Sequence, residues 1–460
     1  MKNIKKHLAA LCMGCLCAAF SGCGKEFLEA KPDQSLLVPK TLEDFQLILN
    51  NASVMNYSPG LPLISTDEFY IGVKGNLSAL PTAQRNAYLW QADIFEGASS
   101  QDWNLPYQQV FYSNVVLEGL SDFVPTAEQR AHWERLRGSA LFFRSLAYYQ
   151  LASQFAKPYG KTSDADPGVP VKAGADVNER VSRGNVKEVY LRILEDLEQA
   201  LPILQEMPSN TLLTRPSRLA AMALLARIHL SMGDFVRAGE YADRCLKLKS
   251  SLLDFNTLVP GASRPISFAA AGGSEVIFWQ WMLSYQFGSS LGVGVSPELL
   301  GQYAANDLRK QVYFRDRGNG ISTFKASYTG DTYLFTGLAV DELYLISAES
   351  KARSGDRIGA LGDLETLMRK RYAKTAFVPP VASSAGDALA LVLLERRKEL
   401  FARGTRWTDL RRLNSQPGYA KDLKREIDGQ VFTLDAGSKR YVFPIPLNEI
   451  WSSGLAQNER

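Results

Sequence analysis

Residues 218–247 read RLAAMALLARIHLSMGDFVRAGEYADRCLK, two apolar helical patterns separated by a glycine and an aspartate. Leu225, Ala226 and Leu230 come before Gly233-Asp234, and Ala238, Tyr241 and Ala242 come after it. Glycine permits the tight turn, and small alanines let two antiparallel helices approach closely. Cys245 falls in the same apolar pattern and reads as a small buried hydrophobe.

The pattern returns far downstream as DELYLISAESKARSGD, residues 341–356. Ala348 stands seven residues before Gly355, as Ala226 stands seven before Gly233, and Asp356 and Ala360 repeat Asp234 and Ala238. Both copies read helix, Gly-Asp, helix, and are similar to tetratricopeptide hairpins, which repeat about every 34 residues. Much more chain than that lies between them, so a large insertion is expected. The predicted fold is mainly α: a tetratricopeptide-like helical-hairpin scaffold with loop-rich insertions and a few short strands.

Working outward, the expected body is a single unit over 41–460. Its parts are a helical scaffold over about 41–249, an insertion over about 250–335 rich in Gly, Ser and aromatics, and a helical part over about 336–460. Leu42 to Leu49 is a helix with Thr41 as N-cap. Residues 50–106 look largely irregular, and helices follow over 107–120, from Thr126 to Leu151, over 185–201 and over 389–397. Val276 to Met282 and Tyr441 to Ile445 are candidate short strands.

The N-terminal end carries a different message. Lys2, Lys5 and Lys6 precede an apolar run from Leu8 to Phe20, short of the roughly 20 residues a spanning helix needs. Ser21-Gly22-Cys23 then suits cleavage and acylation, so 1–22 is expected to be a lipoprotein signal, Cys23 the lipid attachment site and 23–40 an extended tether. Loss of the three lysines lowers the formal charge from +4 to +1, which gives no reason to expect nucleic acid. Cys12, Cys15 and Cys17 lie in the signal, so Cys245 has no partner in the body and stability must come from a large core.

By this point the chain resembles the SusD/RagB family of outer-membrane nutrient-uptake lipoproteins. The resemblance runs through CGKEFLEAKPDQ at 23–34, YQQVFYSNVVLEGL at 107–120, RGSALFFRSLAYYQLASQFAKPYG at 137–160 and GVPV at 168–171. It continues through NVKEVYLRILEDLEQALPIL at 185–204, DELYLISAESKARSGD at 341–356, LLERRKELFARGTRWTDLRRL at 393–413 and YVFPIPLNEI at 441–450. It implies a lipid-anchored, surface-exposed lid of the outer membrane that passes an oligosaccharide, or in some branches a peptide, to a TonB-dependent (SusC-like) transporter. The sugar-binding aromatics of the starch-binding member have no matching positions here, so starch specificity does not carry over.

No chemistry of catalysis stands out. There is no G-x-S-x-G elbow, phosphate loop or dinucleotide fingerprint, and His132 and His229 are isolated, so no metal, cofactor or catalytic residue is expected. Glu395, Arg396, Arg397, Glu399, Arg406, Asp409 and Arg411 interleave opposite charges and read as a salt-bridge motif of the scaffold. A sugar ring offers an apolar face edged by hydroxyls, which a flat aromatic with polar neighbours can cover. Tyr70, Trp90, Trp103, Trp281 and Tyr285, in the loop-rich stretches, are the candidates for that role. Peptide capture by the same architecture and a purely structural lid for the transporter are the alternatives.

Overall fold

The structure, a computed structural model, describes residues 39–207, 212–318 and 320–460; the signal and Cys23 lie outside them. The N-terminal scaffold holds α1 (Leu42–Leu49), α2 (Gln101–Asp122), α3 (Arg130–Phe155), α4 (Val186–Ala200), α5 (Arg218–Met232) and α6 (Phe235–Leu248). After the insertion come α7 (Val340–Arg353), α8 (Arg357–Met368), α9 (Ala385–Glu399) and α10 (Arg406–Leu413). Thr41 and Asp44 form a reciprocal capping box on α1, and Asn185 and Glu188 do the same on α4.

The two Gly-Asp hairpins share one turn chemistry. Gly233 and Gly355 adopt left-handed φ of 79° and 91°. Around each, the aspartate N–H reaches back to close the last turn (Asp234 to His229 O, Asp356 to Lys351 O, both 2.9 Å) while the glycine N–H bonds Leu230 or Ala352. Each aspartate carboxylate then caps the next helix, accepting from Arg237 N and Gly359 N. One dipeptide therefore ends a helix and starts its partner.

Helix α2 lies on α3, α3 on α4, α5 on α6, α6 on α7, and α7 on both α8 and α9. The α6–α7 contact is the informative one: the two hairpins stack directly, and the chain between them is looped out. Gly239 makes the approach possible, since a Cβ there would lie 2.9 Å from Ser350 Cβ. Cys245 is fully buried in this layer and burial pushes its thiol up to about 12. His229 is buried under a parallel Tyr241 ring, as a packed residue.

The looped-out chain carries much of a second hydrophobic cluster, including Phe255, Ile266, Trp279, Val295, Tyr313 and Phe335. Its extended segments are short and pair with distant chain. Trp281–Met282 runs parallel to Tyr57–Ser58, Gly294–Val295 pairs with Phe69–Tyr70, and Val276–Phe278 pairs with Leu338–Ala339.

Three local expectations need correction. The 50–106 stretch contains four short helices, and α2 begins at Gln101 with Pro106 inside it. The proline forfeits one backbone bond, yet this end is pinned by buried Asp102, which accepts from Gly60 N and Leu61 N. Tyr441–Ile445 is not a strand: a 3-10 turn at Lys439–Tyr441 leads into buried chain held by isolated bonds such as Phe443 N to Gln154 O. A hairpin over Leu423–Ile427 and Gln430–Leu434 stands where only helix was foreseen, turning through Asp428-Gly429, both left-handed.

The charged motif is knitted into the interior. Glu395 and Glu399 pair with Arg309, Glu399 also with Arg371, Arg396 with Asp409, and Arg397 and Arg406 with Asp67. Burial alone would raise the Asp67 carboxyl; Arg406, Arg397 and Lys421 outweigh it and hold it well below the usual range. Arg411 differs from the rest, donating to the Ser153 and Ala156 carbonyls. It caps the C-terminal end of α3, where a cation also meets the helix dipole. Arg309 and Arg371, both fully buried, tie the looped-out chain (Asp307, Glu275 and the Leu253 carbonyl) to α9.

Candidate functional site

The site is assembled from three pieces of backbone far apart in sequence. The central piece is 279–283. On one side Trp281 N donates to Asn56 O and Leu283 N to Ser58 O, both at 2.8 Å. On the other, Met282 N donates to Leu334 O at 2.9 Å and Thr336 N to Gln280 O at 3.0 Å. This weave sets the aromatics. Trp279 and Trp281, two residues apart on extended chain, share a face and stack at 6.2 Å. Phe268 covers the far side of Trp279 at 4.2 Å, Tyr57 stacks on Trp281 at 6.0 Å, and Tyr333 meets Tyr57 edge-on at 6.5 Å. The ladder begins and ends on exposed rings, Phe268 at 47% and Tyr333 at 39%.

Tyr333 also lines a cavity of about 630 Å³, together with Phe69, Tyr285, Phe287 and Phe324. Tyr285 is held firmly. Its hydroxyl donates to the buried Asp102 carboxylate, and burial followed by that carboxylate keeps the phenol protonated far above its ordinary range. Its ring leans on Gly60, where a Cβ would stand 3.0 Å from two ring carbons and 2.7 Å from Leu283 O. Only glycine lets the ring lie there. Polar groups ring the rest of the cavity: Ser284, Ser289, Ser290, Thr323, Ser327 and Thr332, with Arg264, Arg315, Arg317, Lys325 and Asp331.

The structure brings only part of the expected set together. Tyr285 is on the cavity wall, and Trp281 joins it through Tyr57 and Tyr333. Tyr70 is half-buried and donates to Gly320 O, while its strand neighbour Phe69 faces the cavity. Trp90 is 1% exposed, donates Nε1–H to Ser65 O at 2.8 Å and is covered by the Arg425 guanidinium, so it braces the core and offers no face. Trp103 is buried between Tyr107 and Phe155 beneath a separate hollow of about 760 Å³. The basic residues of the cavity were missed. Their signal was present in FRDRGNGISTFK at 314–325, a hairpin with turn glycines whose alternation puts Arg315 and Arg317 on one face.

Comparison with known proteins agrees with this architecture. A family profile described as "Starch-binding associating with outer membrane" matches residues 26–230, and one described as "SusD family" matches 338–459. The chain belongs to the SusD/RagB family. Proteins of this family bind carbohydrate at the outer membrane and pair with TonB-dependent transporters. The fold of this SusD-family chain is similar to several solved structures. A SusD superfamily protein from Bacteroides vulgatus is 22% identical, covering 91% of this chain and 99% of its own at a TM-score of 0.74. Surface glycan-binding protein A from Bacteroides uniformis is 18% identical, covering 91% and 99% at 0.69. A laminarin-binding SusD-like protein is 18% identical, covering 91% and 98% at 0.64. No curated protein sequence matches. Among the described residues no helix is long and apolar enough to cross a membrane, and no cluster of His, Cys, Asp and Glu could hold a metal ion.

Proposed function

We propose that this SusD-family protein captures an oligosaccharide in the cavity walled by Tyr285 and Tyr333 and hands it to a TonB-dependent outer-membrane transporter. Cys23 tethers it, by acylation, to the outer leaflet, with the body facing outward. The reaction is recognition and release, with no bond made or broken in the sugar. The observation that carries this reading is the fixed Tyr285 ring. Asp102 and Gly60 hold it in place before any ligand arrives, so little ordering remains to be done on binding. The serine and threonine hydroxyls around it suit a sugar rim, and the exposed end of the aromatic ladder extends the platform beyond the cavity mouth.

Calorimetry of the purified chain against a panel of oligosaccharides and peptides tests this. Tyr285→Ala is expected to weaken a saturable sugar hit by about tenfold or more, while Trp90→Phe leaves affinity unchanged. A peptide hit in the same cavity, or sugar binding indifferent to Tyr285, would overturn it.

A further inference from the structure

The charge of the cavity is out of keeping with the charge of the chain. The expected mature protein carries a formal +1, yet the cavity wall holds Arg264, Arg315, Arg317 and Lys325 against a single carboxylate, Asp331. Many buried arginines elsewhere are matched: Arg309, Arg371, Arg396, Arg397, Arg406 and Arg412 all stand in ion pairs, while Arg411 and Arg425 donate to carbonyls. Among the described residues none of the four cavity cations stands in an ion pair. Arg317 donates Nε–H to Thr323 Oγ1 at 2.9 Å, which aims the guanidinium and leaves its charge uncompensated. Lys325 donates to the neutral Pro260 and Ala262 carbonyls. Arg264 is exposed and Arg315 half-exposed. Burial, and then repulsion from Arg315, lowers the Lys325 ammonium below its ordinary range, as expected where like charges face each other without counter-charge.

Four cations set against one carboxylate raise the local potential of the cavity, and low-dielectric walls focus it. Guanidiniums bind carboxylates and sulfate esters through paired N–H groups, a geometry that neutral hydroxyls do not match. Resting on the sugar-capture reading above, we propose that the ligand is an acidic oligosaccharide, its anionic substituents held by Arg315 and Arg317 while Tyr285 covers a ring face. Uronic acid carboxylates and sulfate esters share this chemistry.

The test pairs each acidic sugar with its neutral counterpart. Oligogalacturonate is compared with its methyl ester, and a sulfated glycosaminoglycan oligosaccharide with its desulfated form, by calorimetry at low and high salt. Binding of either acidic form about tenfold tighter than its counterpart, weakening with salt, is the expected result, and which pair responds names the substituent. The double variant Arg315→Gln/Arg317→Gln is expected to abolish that preference. The exposed Arg264→Gln variant, with an unchanged melting temperature, is expected to reduce it and guards against misfolding of the double variant. Equal binding of acidic and neutral forms, or an acidic preference that survives the double variant, overturns the charge assignment and leaves sugar capture standing. No binding of any sugar, acidic or neutral, overturns both.

Discussion

At the residue scale, the site depends on a single phenol–carboxylate contact. Asp102 is buried, and its oxygens serve Gly60 N, Leu61 N and the Tyr285 hydroxyl together. Tyr285→Phe keeps the ring and leaves one carboxylate oxygen short of a donor. The expected loss is about 1–3 kcal/mol in chemical denaturation, with sugar affinity reduced less than by Tyr285→Ala. Glu68 gives a pH signature. Burial raises its carboxyl to about 7, against the Ala402 N–H that would lower it. A folded value above the unfolded one means that its contribution to stability is complete below pH 4.5 and is lost as pH rises through about 7. Glu68→Gln imitates the protonated group. Thermal melts should therefore coincide for the two proteins near pH 4 and favour the variant at pH 8; a variant equal to or below the parent at pH 8 would refute this.

At the scale of elements, two helical glycines should respond with opposite signs. Gly362 on α8 has open space where a Cβ would go, and alanine there should add up to about 1 kcal/mol through helix propensity. Gly239 on α6 faces Ser350, and alanine there should cost about 1–3 kcal/mol by pushing α6 off α7. Urea denaturation of the two variants checks both signs. The same elements show what could be read in advance. The Gly-Asp hairpins were legible because one dipeptide does two local jobs, ending one helix and capping the next. The hairpin turning at Asp428-Gly429 carried an equally local signal, but the surrounding helical expectation overrode it. The burial of Trp90 and Trp103 was not legible for another reason: a tryptophan that packs a core and one that meets a ligand have the same neighbours in sequence. What separates them is long-range, such as the Ser65 carbonyl that takes the Trp90 N–H, and no local pattern encodes it.

At the scale of the whole molecule, buried arginines do the joining. Arg371 reaches Glu275, Glu399 and the Leu253 carbonyl, so one side chain touches the looped-out chain twice and α9 once. Arg371→Met should cost about 3–5 kcal/mol, because it leaves buried Glu275 without a cation and Glu399 with Arg309 alone. Limited proteolysis of the variant should cut first within 253–339, ahead of the hairpins; first cleavage in α5–α8 would count against this role. The interleaved charges of 395–411 were readable as a network, but the partners Arg309, Arg371 and Asp67 lie too far along the chain for spacing to announce them.

The pairing of Val276–Phe278 with Leu338–Ala339, and the bond from Val340 N to Glu275 O at 3.0 Å, bring the base of this loop together beside the α6–α7 stack. The segment leaves and returns at one doorway. Lineages could then exchange what lies beyond it as a replaceable fitting without rebuilding the frame, provided that Glu275 stays at the threshold to meet Arg371.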